Sequence, residues 1–427
     1  MTALRSITST LTSSQQAAYS GIMAAIRSRC AGAVLAAPAG SGKTYLTGVL
    51  ITALLRAGHK VAGTATSNKA VAVLAEKLPK GADAMTVYSL LGLRLKKTES
   101  GGHKLEREGV SQADKFGVIV VDECSMLNQE LFDMLMAERQ GFLLFVGDPA
   151  QLPPPISGLD RSPVFDNPRL QHFHLTEIVR QAAGSPILAL ATAIRHHEGG
   201  GFPVNALHEY TSGKGVQIIP RGALLDHWHE GARILAWRND TVQRYNQELH
   251  QRLHPGAQEP FCPGERVLLH TQHETRQGFR LHTSAEGTIT GIERGDNPHW
   301  PQIPSWCVRV RMDNGTMANE FYPVNPQQLI NLIADAWKQW REAKIARDEL
   351  GRKRWSSIGW SLKDSFIPLR LAYASTTHKA QGSTYHTAIL DITDLRGIKA
   401  HRDFNKLLYT AVTRPSDQLI LAMEAQA

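Results

Sequence analysis

The run Val34-Leu35-Ala36-Ala37-Pro38-Ala39-Gly40-Ser41-Gly42-Lys43-Thr44 constrains this chain more than any other stretch. An apolar strand passes through a loop of small residues and straight into a helix. The loop fits G-x-x-x-x-G-K-[ST], with Ala37 at the first glycine, a small side chain where the backbone must turn tightly. The backbone N–H groups of this loop, from Ala39, Gly40, Ser41 and Gly42 to Lys43 and Thr44, would cradle phosphates at the helix N-terminus, where the dipole favours anions. Lys43 is then placed to reach the β- and γ-phosphates, and Thr44 to ligate Mg²⁺. The helix is legible in its own right: Leu46, Val49, Leu50, Ala53, Leu54 and Ala57 recur at helical spacing, and Gly58 offers a C-terminal cap. A nucleoside triphosphate is the ligand this pattern implies.

A length of 427 residues gives room for two or three domains, and 42% hydrophobic content can fill their cores. No apolar run has the length of a membrane span, and the Ser/Thr-rich first sixteen residues lack the apolar centre of a signal peptide. A cytosolic chain with no membrane contact is expected. Cys30, Cys124, Cys262 and Cys307 are scattered without C-x-x-C spacing, which supports neither a zinc site nor a disulfide framework. The net charge of +8 suits a polyanionic partner but decides little by itself. Its placement says more, because the first acidic residue is Glu76 and the whole phosphate-loop segment is free of carboxylates.

Further along, residues 60 to 65 read as a strand, and Thr66-Ser67-Asn68-Lys69-Ala70 opens a helix that runs to Leu78. Between residues 86 and 114, Leu93-Arg94-Leu95-Lys96 and Lys104-Leu105-Glu106 flank Ser100-Gly101-Gly102-His103, a hairpin pattern. Val118-Ile119-Val120-Val121 ends at Asp122-Glu123, and Phe142-Leu143-Leu144-Phe145-Val146 ends at Gly147-Asp148-Pro149-Ala150-Gln151. In a parallel sheet the carboxyl edge, where these polar loops emerge, is where ligands bind. The proline-rich Leu152-Pro153-Pro154-Pro155 breaks the pattern. The expected organisation is therefore an α/β unit over residues 1–150, with the hairpin inserted at about 86–114, and a second over 151–427. The second carries an insertion over about 255–365: a β region near 258–324, where Val308, Val310 and Met312 alternate with arginines before the turn Asp313-Asn314-Gly315, then a helix over 325–354.

The chemistry follows from the strand ends. One carboxylate, Asp122, supports the Mg²⁺ set by Thr44, and its neighbour Glu123 orients and deprotonates the attacking water. Gln151 is positioned to contact the γ-phosphate. Charge on the transferred phosphoryl group calls for arginines, and the candidates are Arg180 and Arg414, although nothing local fixes where they point.

In order and spacing, these residues resemble the superfamily 1 helicases of the 5′→3′ branch, of RecD/Dda type. Leu11-Thr12-Ser13-Ser14-Gln15 is similar to the adenine-reading glutamine motif, and the loop ending at Thr44 to motif I. Thr64-Ala65-Thr66-Ser67-Asn68-Lys69 resembles motif Ia, Asp122-Glu123-Cys124-Ser125 motif II, and Gly147 to Pro154 motif III. The Arg180 stretch is similar to motif IV, Thr377-His378-Lys379-Ala380-Gln381-Gly382-Ser383 to motif V, and Tyr409-Thr410-Ala411-Val412-Thr413-Arg414 to motif VI. The run from Trp355 to Ser383 is most similar to phage Dda-like helicases. The resemblance implies an α/β fold of two RecA-like P-loop NTPase domains, with an inserted β-hairpin and an inserted Src-homology-type β-barrel. It implies ATP and Mg²⁺ between those domains, with Gln15 and Gly382 among the nucleotide contacts, and 5′→3′ movement of a monomer on single-stranded DNA. Thr66, Lys69 and Tyr88 from the first domain, and Thr377, His378 and Ser383 from the second, are the implied DNA contacts. His103 marks the implied strand-separating hairpin. Duplex junctions, and replication or recombination proteins, are the implied partners.

Three departures stand out: Ala37 replaces glycine, Tyr88 stands where the family usually has histidine, and residues 92 to 110 hold no aromatic wedge. His196, His197, His227, His229, His250 and His254 cluster without an H-E-x-x-H motif or a cysteine pair, so a polar or DNA-facing surface is preferred for them over a metal site. Trp337 and Trp340, three apart, are read as core. An RNA helicase, a recombination-nuclease subunit and an ATP-switched binding module remain the rival readings, because the motor motifs do not read the sugar.

Overall fold

Strands that are apolar on both faces need both faces covered, and this chain meets that need with two parallel sheets flanked by helices. The computed structural model describes residues 10–97, 103–154, 160–179, 184–211 and 215–424. Arg180, and Ser100 to Gly102 of the expected hairpin tip, lie outside the described residues. The strands are β1 (Gly32–Ala36), β2 (Val61–Ala65), β3 (Asp83–Thr86), β4 (Leu93–Lys97), β5 (His103–Arg107), β6 (Val118–Val121), β7 (Phe142–Gly147), β8 (Gln171–His174), β9 (Val216–Pro220) and β10 (Ala232–Ala236). They continue with β11 (Arg266–Leu269), β12 (His273–Glu274), β13 (Arg280–Leu281), β14 (Glu286–Arg294), β15 (Ser305–Met312), β16 (Met317–Pro323), β17 (Leu369–Leu371), β18 (Ala374–Thr376), β19 (Tyr385–Asp391) and β20 (Pro415–Met423).

Among the described residues the α-helices are α1 (Ser13–Arg27), α2 (Lys43–Arg56), α3 (Asn68–Lys77), α4 (Val87–Leu90), α5 (Gln129–Glu138) and α6 (Pro186–His196). After them come α7 (Asn239–Leu253), α8 (Pro326–Ile345), α9 (Glu349–Asp364), α10 (Thr377–Ala380), α11 (Ile392–Leu395) and α12 (His401–Val412).

Two compact units result. The first comprises Met1–Leu93, Arg107–Val242 and Ser375–Ala427, and the second Arg94–Glu106 and Gln243–Ala374. The first unit holds both parallel sheets, ordered β3-β2-β6-β7-β1-β8 and β18-β10-β19-β20-β9. Every residue of β1, β2, β6 and β7 is buried. Full burial of such a Val, Leu, Ile or Phe side chain contributes about 1.5–3 kcal/mol, which is why these runs dictate the sheet interior. The first sheet runs past the boundary expected at residue 150, because β8 adds to β1 in parallel register with Ala33 opposite Gln171. A strand of four residues with Gln171, His172 and His174 all exposed gives no hint of that edge placement.

In the second unit, β4 and β5 pair as a two-stranded sheet, and β16-β15-β14-β11-β17 form an antiparallel five-stranded sheet. The inserted β region therefore recruits β17, from beyond the expected end of the insertion near residue 365, as Val267 pairs with Leu371. The single helix expected over 325–354 is two helices. Arg347 takes a left-handed backbone, φ 56°, and the Asp348 side chain caps the next helix by accepting from Gly351 N at 2.9 Å. An Asp N-cap in mid-pattern is the stop-and-restart signal. Trp340 is buried, and Trp337 stacks edge-on against Trp360 at 5.5 Å, so both tryptophans pack the helix pair. Among the described residues no helix is long and apolar enough to cross a membrane.

Candidate active site

The phosphate loop turns on two left-handed glycines, Gly40 at φ 76° and Gly42 at φ 75°. A Cβ on Gly42 would lie 2.4 Å from Gln15 Nε2, so only glycine fits there. Gln15 is fully engaged: its amide donates to Ser41 O at 2.9 Å, and its Oε1 accepts from Thr12 N in the capping box of α1. Its side chain thus braces the loop from behind. Ser41 is buried with Oγ on Pro38 O, while Thr44 lies exposed in the first turn of α2.

Lys43 reaches across to the end of β6, with Nζ 3.5 Å from Glu123 Oε1 and 4.0 Å from Asp122 Oδ1. Burial alone would lower the Lys43 pKa, but the Glu123, Asp122 and Asp148 carboxylates outweigh it and hold the ammonium charged. Burial pushes Asp122 up against the pull of Lys43. Glu123 ends below its usual value, because Lys43 and Arg414 together overcome the same burial. Glu123 also sits at φ 50°, a left-handed conformation that a non-glycine residue adopts at a cost, and its Oε2 is buried with no hydrogen-bond partner among the described residues. That oxygen is a spare acceptor beside the phosphate loop. Gly147 closes the floor, since a Cβ there would meet Cys124 Sγ at 2.7 Å.

The loop after β7 connects the two sheets. Asp148, fully buried, accepts from Tyr409 Oη at 2.5 Å and forms an ion pair with Arg195 of α6. Tyr409 in turn accepts from the Ala39 amide of the phosphate loop at 3.3 Å. Arg195 donates to the same phenol oxygen at 3.3 Å. Burial and Asp148 raise the Tyr409 pKa, so the phenol stays protonated. A second link is Gln381, whose Nε2 lies 3.2 Å from Ser125 Oγ, 3.4 Å from Gln151 Oε1 and 3.5 Å from Leu152 O. Gln151 is buried in that contact.

Arg414 is buried too, donating to Thr410 O, Ser383 O and Thr413 Oγ1. Its charge is felt at Glu123. Gly382, at φ 75°, packs near Ala70 of α3 and so brings together the segments that carry Lys69 and Ser383.

The remaining expected residues fall into two groups. Thr66 follows β2 half-buried, His378 is exposed on α10, and Lys69 lies 5.8 Å over the Tyr385 ring, with Arg233 5.0 Å from the same ring. The Ser383 hydroxyl is buried without a partner among the described residues. Thr377, by contrast, is fully buried with Oγ1 on Ala236 O at 3.4 Å, and Tyr88 is half-buried in α4. His103 begins β5 in the second unit.

Against known proteins, residues 10–220 match the AAA domain family and residues 371–422 the UvrD-like helicase C-terminal domain. The chain is 25% identical to the ATP-dependent DNA helicase dda of Enterobacteria phage T4 over 449 aligned positions, covering 95% of this chain and 97% of that one. It is 26% identical to the ATP-dependent RecD2 DNA helicase of Deinococcus radiodurans, covering 92% of this chain and 47% of the relative. The fold is similar to Pif1 helicase from Bacteroides in complex with ADP-AlF3 and ssDNA, at TM-score 0.57 and 17% identity, over 97% of this chain and 93% of that one. Pif1 helicase from Candida albicans gives 0.53 at 14% identity, over 97% and 94%. The chain belongs to the superfamily 1 helicases of the 5′→3′ branch. In this helicase the residues that sequence reasoning left without a role are Asp148, Arg195, Tyr409 and Gln381. Three of them stood inside recognised motifs, and Arg195 had only its place in the last turn of α6 as a signal.

Proposed function

We propose that this chain is an ATP-dependent DNA helicase that steps 5′→3′ along single-stranded DNA, hydrolysing ATP between two RecA-like domains built on the two parallel sheets. One observation carries the reading: Lys43, the Asp122–Glu123 pair and Tyr409 of α12 converge on a single phosphate loop, while Gln381 ties the second sheet to the segments that follow β6 and β7. Hydrolysis there is felt at once by segments from both sheets. The donor set suits a hard divalent cation, with a hydroxyl at Thr44 and a carboxylate at Asp122 as its holders. Bound Mg²⁺ supplies charge neutralisation of the phosphates. Glu123, with its spare Oε2, takes the proton of the attacking water, and Lys43 leaves its carboxylates for the phosphate oxygens. Arg414, tied here to backbone carbonyls, turns toward the transferred group when the sheets approach, and Arg180 is assigned the same duty.

The single strand is assigned to the surface formed by Thr66, Lys69, His378 and Ser383, where the Tyr385 ring between Lys69 and Arg233 offers a stacking face beside positive charge. Thr377 contributes through its backbone, since its side chain is spent on Ala236. The antiparallel five-stranded sheet stands as the Src-homology-type barrel, and β4–β5 as the strand-separating hairpin. The deciding experiment compares unwinding of two matched partial duplexes, one with a 5′ tail and one with a 3′ tail, with ATPase measured alongside. Unwinding from the 5′ tail alone is expected. A 3′ preference overturns the polarity, and strand-stimulated ATPase without unwinding overturns the helicase reading in favour of a translocase.

A further inference from the structure

Of the histidines that the motor does not use, two are held in a cluster inside the second unit. His250 lies in the last turn of α7, and His254 follows one helical turn on, its N–H bonded to His250 O at 2.9 Å. Opposite them is the turn Cys262-Pro263-Gly264-Glu265, closed by Glu265 N on Cys262 O at 3.1 Å, with Gly264 at φ 94°. Proline second and a left-handed glycine third make a type II turn, which sets its first and fourth side chains next to each other. The pattern is thus H-x₃-H from a helix facing C-x₂-E from a turn. Ligand atoms of all four residues lie within 4.8 Å of one another.

We propose that His250, His254, Cys262 and Glu265 form a tetrahedral zinc site that fastens the end of α7 to the turn preceding β11. Zinc bonds of about 2.0–2.3 Å put tetrahedral ligand atoms roughly 3.3–3.8 Å apart. The observed spacings bracket that range, from 2.8 Å for His250 Nδ1 to Glu265 Oε1, through 3.4 Å for His254 Nε2 to the same oxygen, to the 4.8 Å limit. The supporting contacts have the form that a metal site needs. His250 Nε2 faces the Glu259 carbonyl at 3.1 Å, and the Tyr373 hydroxyl donates to Glu265 Oε1. A neutral imidazole has one N–H. With that N–H on the Glu259 carbonyl, the Nδ1 lone pair faces a buried carboxylate at 2.8 Å, an arrangement that either a shared proton or a metal ion relieves, and a metal ion is the reading that also uses His254 and Cys262. Two imidazoles, a thiolate and one carboxylate favour zinc over magnesium or calcium, which prefer all-oxygen shells. Zinc takes the place of the Cys262 thiol proton, which passes to solvent.

The test uses the full chain, purified, replenished with zinc and freed of excess. One zinc per chain by elemental mass spectrometry is expected, with a lower unfolding temperature after chelation that returns on adding zinc. Cobalt added to the chelated protein should give the intense visible bands of a tetrahedral ion and a thiolate-to-cobalt absorption. Cys262→Ser should abolish the thiolate absorption, and Tyr373→Phe, which keeps all four ligands, should weaken zinc binding by about 10–100-fold. No stoichiometric zinc after replenishment, or a chelator-insensitive unfolding temperature, overturns the site and leaves a proton-bridged ion-pair cluster. Cobalt bands that survive in Cys262→Ser remove the cysteine from it.

Discussion

Replacing Tyr409 by phenylalanine takes one hydroxyl from the buried junction between the two sheets and leaves the ring in place. Asp148 then loses a hydrogen bond of 2.5 Å but keeps Arg195 and the Ala150 amide at 3.0 Å. A hydrogen bond to a charged group contributes about 1.5–3 kcal/mol, so Tyr409→Phe should destabilise the folded chain by about that amount. Arg195→Gln removes the charge partner of a carboxylate with 1% side-chain exposure, and breaking such a pair costs about 3–5 kcal/mol. Chemical denaturation should therefore rank the variants wild type, Tyr409→Phe, Arg195→Gln. Adding Asp148→Asn to Arg195→Gln should recover part of the loss, because the buried charge itself is gone. Because Tyr409 also holds the Ala39 amide, strand-stimulated kcat should fall in Tyr409→Phe more than KM for ATP rises. Equal destabilisation of the two single variants, or no recovery in the double variant, would refute the argument that a buried charge dominates this junction.

Glu123→Gln should retain nucleotide binding while turnover drops by about 10²–10⁴-fold, the range for losing a positioned base, as read in single-turnover hydrolysis. Lys43→Ala should abolish hydrolysis, checked by steady-state ATPase with and without DNA. His378→Ala should lower DNA stimulation of the ATPase while leaving the basal rate, and equal loss of both would place His378 away from the strand. The Tyr322 phenol is pushed by burial to about 12 despite Arg370 nearby. It stays neutral where an unfolded tyrosine ionises, so its stability contribution is complete below pH 10 and declines between 10 and 12; Tyr322→Phe should flatten that part of a denaturation profile.

The parallel strands, the phosphate loop and the Asp122–Glu123 pair were legible because each is a local pattern: continuous apolarity, small residues before a lysine, acid at a strand end. Features made by distant segments were not. The Asp148–Tyr409 bond joins residues 261 positions apart, and nothing near either reveals the other. The motifs around Gln15 and Thr377 likewise say nothing of the bonds that Gln15 Nε2 makes to Ser41 O and Thr377 Oγ1 to Ala236 O, because these partners are distant in sequence. The helix break at Asp348 was locally encoded and missed, because hydrophobic periodicity on both sides of it masked a single capping residue.

Gln381 offers two amide hydrogens to three oxygens, at 3.2, 3.4 and 3.5 Å, all belonging to the segments after β6 and β7. An oversubscribed donor of this kind holds without committing. Were one sheet to slide against the other, the amide could exchange one acceptor for the next without passing through an unbonded state, so the buried seam would resist separation more than displacement along it. For a motor that must cycle many times, such a bearing matters as much as the fuel site beside it.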